Sequence, residues 1–131
     1  MHKIRPIWSN TMSVCQFPTA DTTAFRLAAL LEEYEQHVEE LTSTWLDAAL
    51  YARVSREIGE MRLLCAALPL LSVPWVHLLI SHAELVHCLW TCPPDGEESH
   101  PAERCKAHHL VAIQALRQKC LCHFTRIERV P

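Results

Sequence analysis

The stretch LAALLEEYEQHVEELTSTW, residues 27–45, carries the pattern that decides the fold. Its apolar side chains recur at alternating spacings of four and three residues, which is typical of an amphipathic helix that packs on another helix. These side chains are Leu27, Leu31, Tyr34, Val38, Leu41 and Trp45. The acidic residues between them form the outer face of the same helix. Because Asp21 or Thr22 is a suitable N-cap, the first helix is predicted over about 22–41.

The segment that follows, LTSTWLD at 41–47, leaves two interpretations open. Serine and threonine lower helix propensity, and Thr44 with Asp47 resembles a capping box, yet the apolar spacing continues through Trp45. Either two helices meet here or one long helix continues. The periodicity then runs through Leu46, Leu50, Val54, Ile58, Met61, Cys65 and Leu68, which predicts a helix over about 45–68 that stops near Pro69.

Two further helices complete the predicted architecture. Pro74 indicates the start of a helix over about 74–91, and Pro101 the start of another over about 101–127. Residues 1–20 show no periodicity and are predicted to form an extended arm. No stretch alternates with period two. The chain is therefore predicted to be all-α, with one helical domain at 21–131: a four-helix bundle, or a long helical hairpin with a shorter second hairpin packed on it.

Composition excludes several classes of function. The chain has 131 residues and a net charge of −3, with no basic run of the kind that nucleic-acid binding requires. Its two glycines cannot build a phosphate-binding loop. Seven cysteines are an odd number, and the N-terminal stretch lacks the continuous apolar core of a secretory signal. We therefore expect reduced thiols in a soluble, cytoplasmic protein.

A charge-free segment, residues 63–83, is long enough for a membrane span. Pro69 and Pro74 argue against one continuous helix there, because each favours a helix stop or a new start. Two buried helix ends are the favoured interpretation, and a small membrane-associated protein anchored by this segment is kept as an alternative.

The stretch HCLWTCPPDGEESHPAERCKAHH, residues 87–109, concentrates three cysteines and four histidines. If the third and fourth helices are antiparallel neighbours, one set of four side chains lies at a similar height near their connection. This set, Cys88, Cys92, His100 and Cys105, is a candidate zinc site. Helical angles, however, place Cys88 on a polar stripe with His77, Ser81 and Glu84, away from the shared core. Thiols that merely fill packing space are the simpler interpretation.

No catalytic site is predicted, so the chain is expected not to be an enzyme and to need no cofactor, zinc excepted. His77, Ser81 and Glu84 share one helical face, but such a stripe is usually solvated and offers no oxyanion donors. His82 falls within the apolar arc, where a neutral core or interface histidine with one hydrogen bond is expected.

The predicted function is protein–protein interaction by a small helical module that pairs with itself or with another protein. The first two helices are expected to leave apolar surface that shorter third and fourth helices cannot cover, so a homodimer is predicted through them. The alternative is a break at residues 42–44 that folds the first two helices into a compact four-helix monomer. Its interface residues are expected to be Leu27, Leu31, Tyr34, Val38, Leu41, Trp45, Tyr51 and Met61. A zinc- or redox-responsive regulator that uses the cluster at 88–109 is the leading alternative.

Overall fold

A computed structural model of the chain describes residues 19–91 and 100–129, with side chains given for 19–91 and 101–123. Within these ranges the fold is all-α and contains four α-helices, as predicted. The helices are α1 (Ala20–Ser43), α2 (Ala48–Ala66), α3 (Ser72–Thr91) and α4 (His100–Arg129), with a short 3-10 helix at Pro69–Leu71 between α2 and α3. Residues 1–18 of the predicted arm lie outside the described residues, and its last residue, Ala20, begins α1.

Helix α1 begins at Ala20, two residues before the predicted start at 22. Thr19 is the N-cap, and its side chain accepts a hydrogen bond from the backbone N–H of Thr22 at 3.1 Å. Asp21 lies in the first turn, where its carboxylate interacts favourably with the positive end of the helix dipole. The apolar positions that the spacing identified, from Leu27 to Leu41, form the buried face of this helix.

The chain reverses between α1 and α2, so two helices meet here and no single long helix forms. Trp45 and Leu46 both have positive φ, 55° and 73°, a conformation that ends α1 and turns the backbone away from its axis. Asp47 then caps α2, because its side chain accepts from the N–H of Leu50 at 3.0 Å. The predicted start of the second helix at residue 45 was therefore three residues too early.

The predicted stop between α2 and α3 is confirmed. The 3-10 helix begins at Pro69, and α3 follows directly at Ser72, so that Pro74 lies in the first turn of α3 where its missing N–H costs nothing. Leu71 is buried beneath this connection. Residues 63–83 therefore contain the end of α2 and the beginning of α3, and not one uninterrupted helix.

Three helix pairs account for most of the packing: α1 with α2, α1 with α4, and α3 with α4. Helices α2 and α3 make few contacts with each other. Each helix contributes apolar side chains to one continuous core, and α4 contributes Ile113, Leu116 and Cys120. An ion pair on the flank, between Arg117 and Glu35 at 2.6 Å, also links α4 to α1. The result is an antiparallel helical bundle in which α4 covers α1.

Candidate functional site

A chain of hydrogen-bonded polar side chains crosses the core where α1, α3 and α4 meet. The hydroxyl of Tyr34 lies 2.7 Å from His82 Nδ1 and 2.7 Å from His109 Nε2. His109 Nδ1 in turn lies 2.5 Å from Ser81 Oγ, which donates to the carbonyl of Leu78. Tyr34 and His109 are fully buried, and Ser81 is 1% exposed. We call Tyr34, Ser81, His82 and His109 the buried polar network.

One arrangement of protons satisfies every bond in this network. Because Ser81 donates its hydroxyl hydrogen to Leu78, its oxygen accepts from His109 Nδ1–H. His109 Nε2 is then unprotonated and accepts from the hydroxyl of Tyr34. The Tyr34 oxygen accepts from His82 Nδ1–H. The network therefore runs in one direction, from His82 to the backbone of α3, and needs His109 neutral, because its Nε2 accepts while its Nδ1–H donates.

Burial sets the ionisation of these groups. Desolvation lowers the pKa of His82 to about 4. Desolvation and the neighbouring His82 and His108 lower the pKa of His109 to about 3. Burial, with a smaller effect of the Glu57 charge, raises the pKa of Tyr34 well above its usual value. All three groups are uncharged at neutral pH. For Tyr34 and His109 the proton arrangement requires this state, whereas for His82 burial alone imposes it.

Ser81 and His109 have the atoms of a nucleophile and its base, but the geometry suits a structural role. Catalysis needs the imidazole nitrogen that faces the serine to take its proton, whereas here the serine hydrogen bonds to a carbonyl of its own helix. The two side chains are also enclosed by the core, so a substrate has no path to Ser81 Oγ. The prediction that Ser81 lies on a solvated stripe was wrong, because α4 packs against that side of α3 and buries Ser81.

The expectation for His82 is confirmed. It is half-buried, neutral, and makes one side-chain hydrogen bond, to Tyr34. Sequence reasoning did not connect it to Tyr34 or His109. Tyr34 could have indicated the network, because a tyrosine on the buried face of a helix needs a buried hydrogen-bond partner for its hydroxyl.

A second polar pair joins α1 to α2. His37 Nδ1 lies 2.8 Å from Glu57 Oε2, and Glu57 is buried with its other oxygen, Oε1, lacking a hydrogen-bond partner among the described residues. Burial raises the pKa of the Glu57 carboxyl, while the bond to His37 opposes that rise. The pair fixes the register of the α1–α2 hairpin but leaves part of a carboxylate unsatisfied.

The predicted cysteine cluster is partly brought together. The Sγ atoms of Cys88 and Cys105 lie 3.1 Å apart across the α3–α4 interface, so the expectation that Cys88 points away from α4 was wrong while the height match was right. Cys92 and the side chain of His100 lie outside the described residues. Among the side chains that are described, no three from histidine, cysteine, aspartate and glutamate are arranged to hold a metal ion. The zinc site stays a prediction.

Two other cysteines are core residues. Cys65 on α2 and Cys120 on α4 are both buried. Burial, with the nearby Cys120, raises the pKa of Cys65 to about 12, and burial raises that of Cys120 to about 11. These thiols therefore stay protonated and enclosed. The side chain of Cys122, by contrast, is exposed.

Most residues predicted at a homodimer interface lie inside the single chain. Six of the eight are at most 1% exposed. They are Leu27, Leu31, Tyr34, Val38, Leu41 and Met61. Trp45 is half-buried, and only Tyr51 is exposed. The expectation that the third and fourth helices are too short to cover the first two was wrong. Helix α1 ends at Ser43, and the 30 residues of α4, about 45 Å of helix, are long enough to cover it.

Exposed large apolar side chains are most numerous on α3. Four side chains on its outer face, Val73, Val76, Ile80 and Trp90, and Val111 on α4 are 47% to 72% exposed. A groove of about 270 Å³ runs between the two helices, with Ile80, Val111 and Ala115 in its lining. At its border Glu84 and His108 approach to 3.7 Å. We call Val73, Val76, Ile80, Trp90 and Val111 the α3 face.

A second apolar area lies on α1 and α2. Phe25 on α1 and Leu63 on α2 are exposed beside a groove between these helices. Arg26, Glu33 and Glu60 line the same groove and interrupt its apolar surface. The α3 face differs from this second surface in charge, because α3 carries one carboxylate, Glu84, and no lysine or arginine.

In the part of the chain that is described, one helical segment, Pro69–Thr91, meets the length and composition of a membrane span. Its inner side carries Ser81 and His82, which bond to α4 and α1. Moving α3 into a bilayer would break those bonds and leave Tyr34 and His109 without hydrogen-bond partners on α3.

Comparisons of the chain with models of known protein families, with curated proteins and with solved structures gave no match.

Proposed function

We propose that this chain is a small cytoplasmic protein-interaction module, without catalytic activity, that forms a homodimer through the α3 face. The observation that carries the proposal is the row of exposed apolar side chains along α3, which continues onto α4 at Val111. Contiguous apolar surface of this kind marks interaction sites in soluble proteins. The odd number of cysteines supports a reducing, cytoplasmic location.

A second copy of the chain fits this surface. Apolar side chains occur toward both ends of α3, with Val73 near its beginning and Trp90 near its end. Two copies of α3 that pair antiparallel about a two-fold axis place opposite ends together, so apolar surface meets apolar surface along the whole helix. Ile80 lies near the middle of α3, where such a pairing brings it close to its own symmetry mate.

The proposed dimer also agrees with the charges of the molecule. Helix α1 carries Glu32, Glu33, Glu39 and Glu40 on its exposed side, and this acidic surface disfavours self-association there. The outer side of α3 has one carboxylate, Glu84, with His77 and His87 beside it. Desolvation on pairing therefore costs least at the α3 face.

Sedimentation velocity at micromolar concentration tests the proposal. The wild-type protein is expected to sediment as a dimer of the 15.0 kDa chain, and Ile80→Glu as a monomer, because the substitution places a charge at the centre of the apolar pairing. Circular dichroism of the same samples checks that the variant keeps its helices, as expected for a substitution at an exposed position.

Leu63→Glu is the matched control, since Leu63 is as exposed as the residues of the α3 face but lies on α2. This variant is expected to remain dimeric. A monomeric wild-type protein would overturn the proposal, and so would loss of the dimer in Leu63→Glu together with its retention in Ile80→Glu. A monomer that binds lipid vesicles through Ile80 would instead support membrane association.

A further inference from the structure

We propose that Cys88 and Cys105 form a reversible intramolecular disulfide that joins α3 to α4. Their Sγ atoms already lie 3.1 Å apart, so a modest adjustment of two side chains brings them to bonding distance. Both residues are half-buried, which leaves them within reach of a small reagent while α3 and α4 hold them together. The site does not depend on the proposed dimer, because Cys88 lies on the α4 side of α3 and not on the α3 face.

The location gives the bond a structural effect. Cys88 is in the last turn of α3 and Cys105 in the second turn of α4, so the bond closes a loop of 16 intervening residues at one end of the helix pair. Closing a loop of this size restricts the unfolded chain and stabilises the folded one. It also fixes the end of α3 that carries Trp90.

The chemistry balances with a low-molecular-weight disulfide such as oxidised glutathione. The thiolate of one cysteine attacks the glutathione disulfide, which forms a mixed disulfide and releases one reduced glutathione. The second cysteine, after losing its proton, attacks the protein sulfur of that mixed disulfide and displaces a second reduced glutathione. Two protein thiols are oxidised, one glutathione disulfide is reduced to two thiols, and the protons pass to the released glutathione.

The remaining described cysteines are poorly placed for this reaction. Cys65 and Cys120 are buried, and burial holds their pKa values near 12 and 11, so neither supplies thiolate to a reagent in solution. Cys122 is exposed and would react with the same reagent, so it is replaced by serine in the experiment below.

The experiment uses the full chain with Cys15, Cys92 and Cys122 replaced by serine, so that Cys88 and Cys105 are the accessible thiols. After equilibration with oxidised glutathione, intact mass is expected to show loss of two hydrogens at the mass of a single chain. Peptide mapping without reductant is expected to recover Cys88 linked to Cys105. Thermal unfolding is expected to shift upward by about 10 °C and to return on reduction.

The matched control adds Cys105→Ser to the same background. It is expected to carry one glutathione adduct on Cys88 and to show no such thermal shift. Separate glutathione adducts on Cys88 and Cys105 in the unsubstituted pair, or unreacted thiols at both, would overturn the proposal. These results are read from mass and melting temperature alone, so a failure of the proposed dimer does not affect them.

Discussion

Tyr34 is the residue on which the polar interior of this protein depends. Its hydroxyl bonds to both His82 and His109, and through His109 it is connected to Ser81. Three helices therefore contribute to one hydrogen-bonded chain, which requires a single relative placement of α1, α3 and α4. A network of this kind specifies packing because each member left without a partner is costly.

Tyr34→Phe is expected to lower the free energy of unfolding by about 3 kcal/mol, because it leaves the buried Nε2 of His109 without a donor and His82 without its acceptor. Urea denaturation at pH 7 measures the change. Tyr51→Phe removes a hydroxyl from an exposed tyrosine and is expected to change stability by less than about 0.5 kcal/mol. Equal effects of the two substitutions would contradict the network.

The same network predicts a dependence of stability on pH. Unfolding restores both histidines to a pKa near 6.5, whereas folding lowers them to about 4 for His82 and about 3 for His109. Below pH 6.5 the unfolded chain therefore binds protons that the folded chain does not. The free energy of unfolding is expected to fall by up to about 1.4 kcal/mol per pH unit for each histidine as pH drops toward 4.

His82→Gln isolates this effect, because glutamine keeps a donor toward Tyr34 but does not titrate. We expect it to reduce the slope of unfolding free energy between pH 6.5 and 4.5, measured by urea denaturation at several pH values. His87→Gln changes an exposed histidine on the same helix and is expected to keep the wild-type slope. An unchanged slope in His82→Gln would show that this histidine is not held neutral by folding.

At the scale of elements, the turn at 44–47 decides how α1 and α2 associate. Trp45 and Leu46 adopt positive φ without being glycine, which costs free energy that the packing of both half-buried side chains against the core offsets. Asp47 then starts α2 by capping it. The turn converts about forty residues of continuous apolar periodicity into two antiparallel helices.

Asp47→Ala is expected to destabilise the protein by about 1 kcal/mol, because the N–H of Leu50 loses its side-chain acceptor at the start of α2. Thermal or urea denaturation measures the loss. Asp47→Asn keeps an accepting oxygen at the same position and is expected to retain most of the stability. If alanine and asparagine were equally tolerated, the cap would contribute little to α2.

The helices were predictable because each carries its own periodicity and local stop signals. Pro69 and the apolar spacing from Leu27 to Leu41 identify elements without any knowledge of neighbours. The reversal at Trp45 was one of two interpretations that the sequence left open, because the apolar pattern continues through it and its positive φ uses no glycine. The contact between Cys88 and Cys105 was predictable only in part. Helical rise gave the shared height, but the side of α3 on which α4 packs could not be derived from the periodicity of α3 alone.

For the whole molecule, the main revision concerns which surface is left uncovered. The helix lengths expected from the sequence predicted that the apolar residues of α1 and α2 stay exposed. In the structure α4 packs on α1, and Ile113 and Leu116 belong to the same buried core. The surplus apolar surface then falls on α3, whose mean hydropathy made it resemble a membrane span. The proposed dimer through the α3 face would give a role to the apolar residues on the outer side of a helix that Ser81 and His82 fix in the core.

The most direct test of this account is an NMR dilution series of the ¹⁵N-labelled wild-type protein, in which backbone amide shifts are followed across its dissociation. We predict that concentration-dependent shifts concentrate on α3, between Val73 and Trp90, and on the part of α4 around Val111. The amides of α1 and of α2 around Leu63 are expected to stay unchanged. Shifts that instead map to α1 and α2, or a spectrum that does not change with concentration, would contradict self-association through the α3 face.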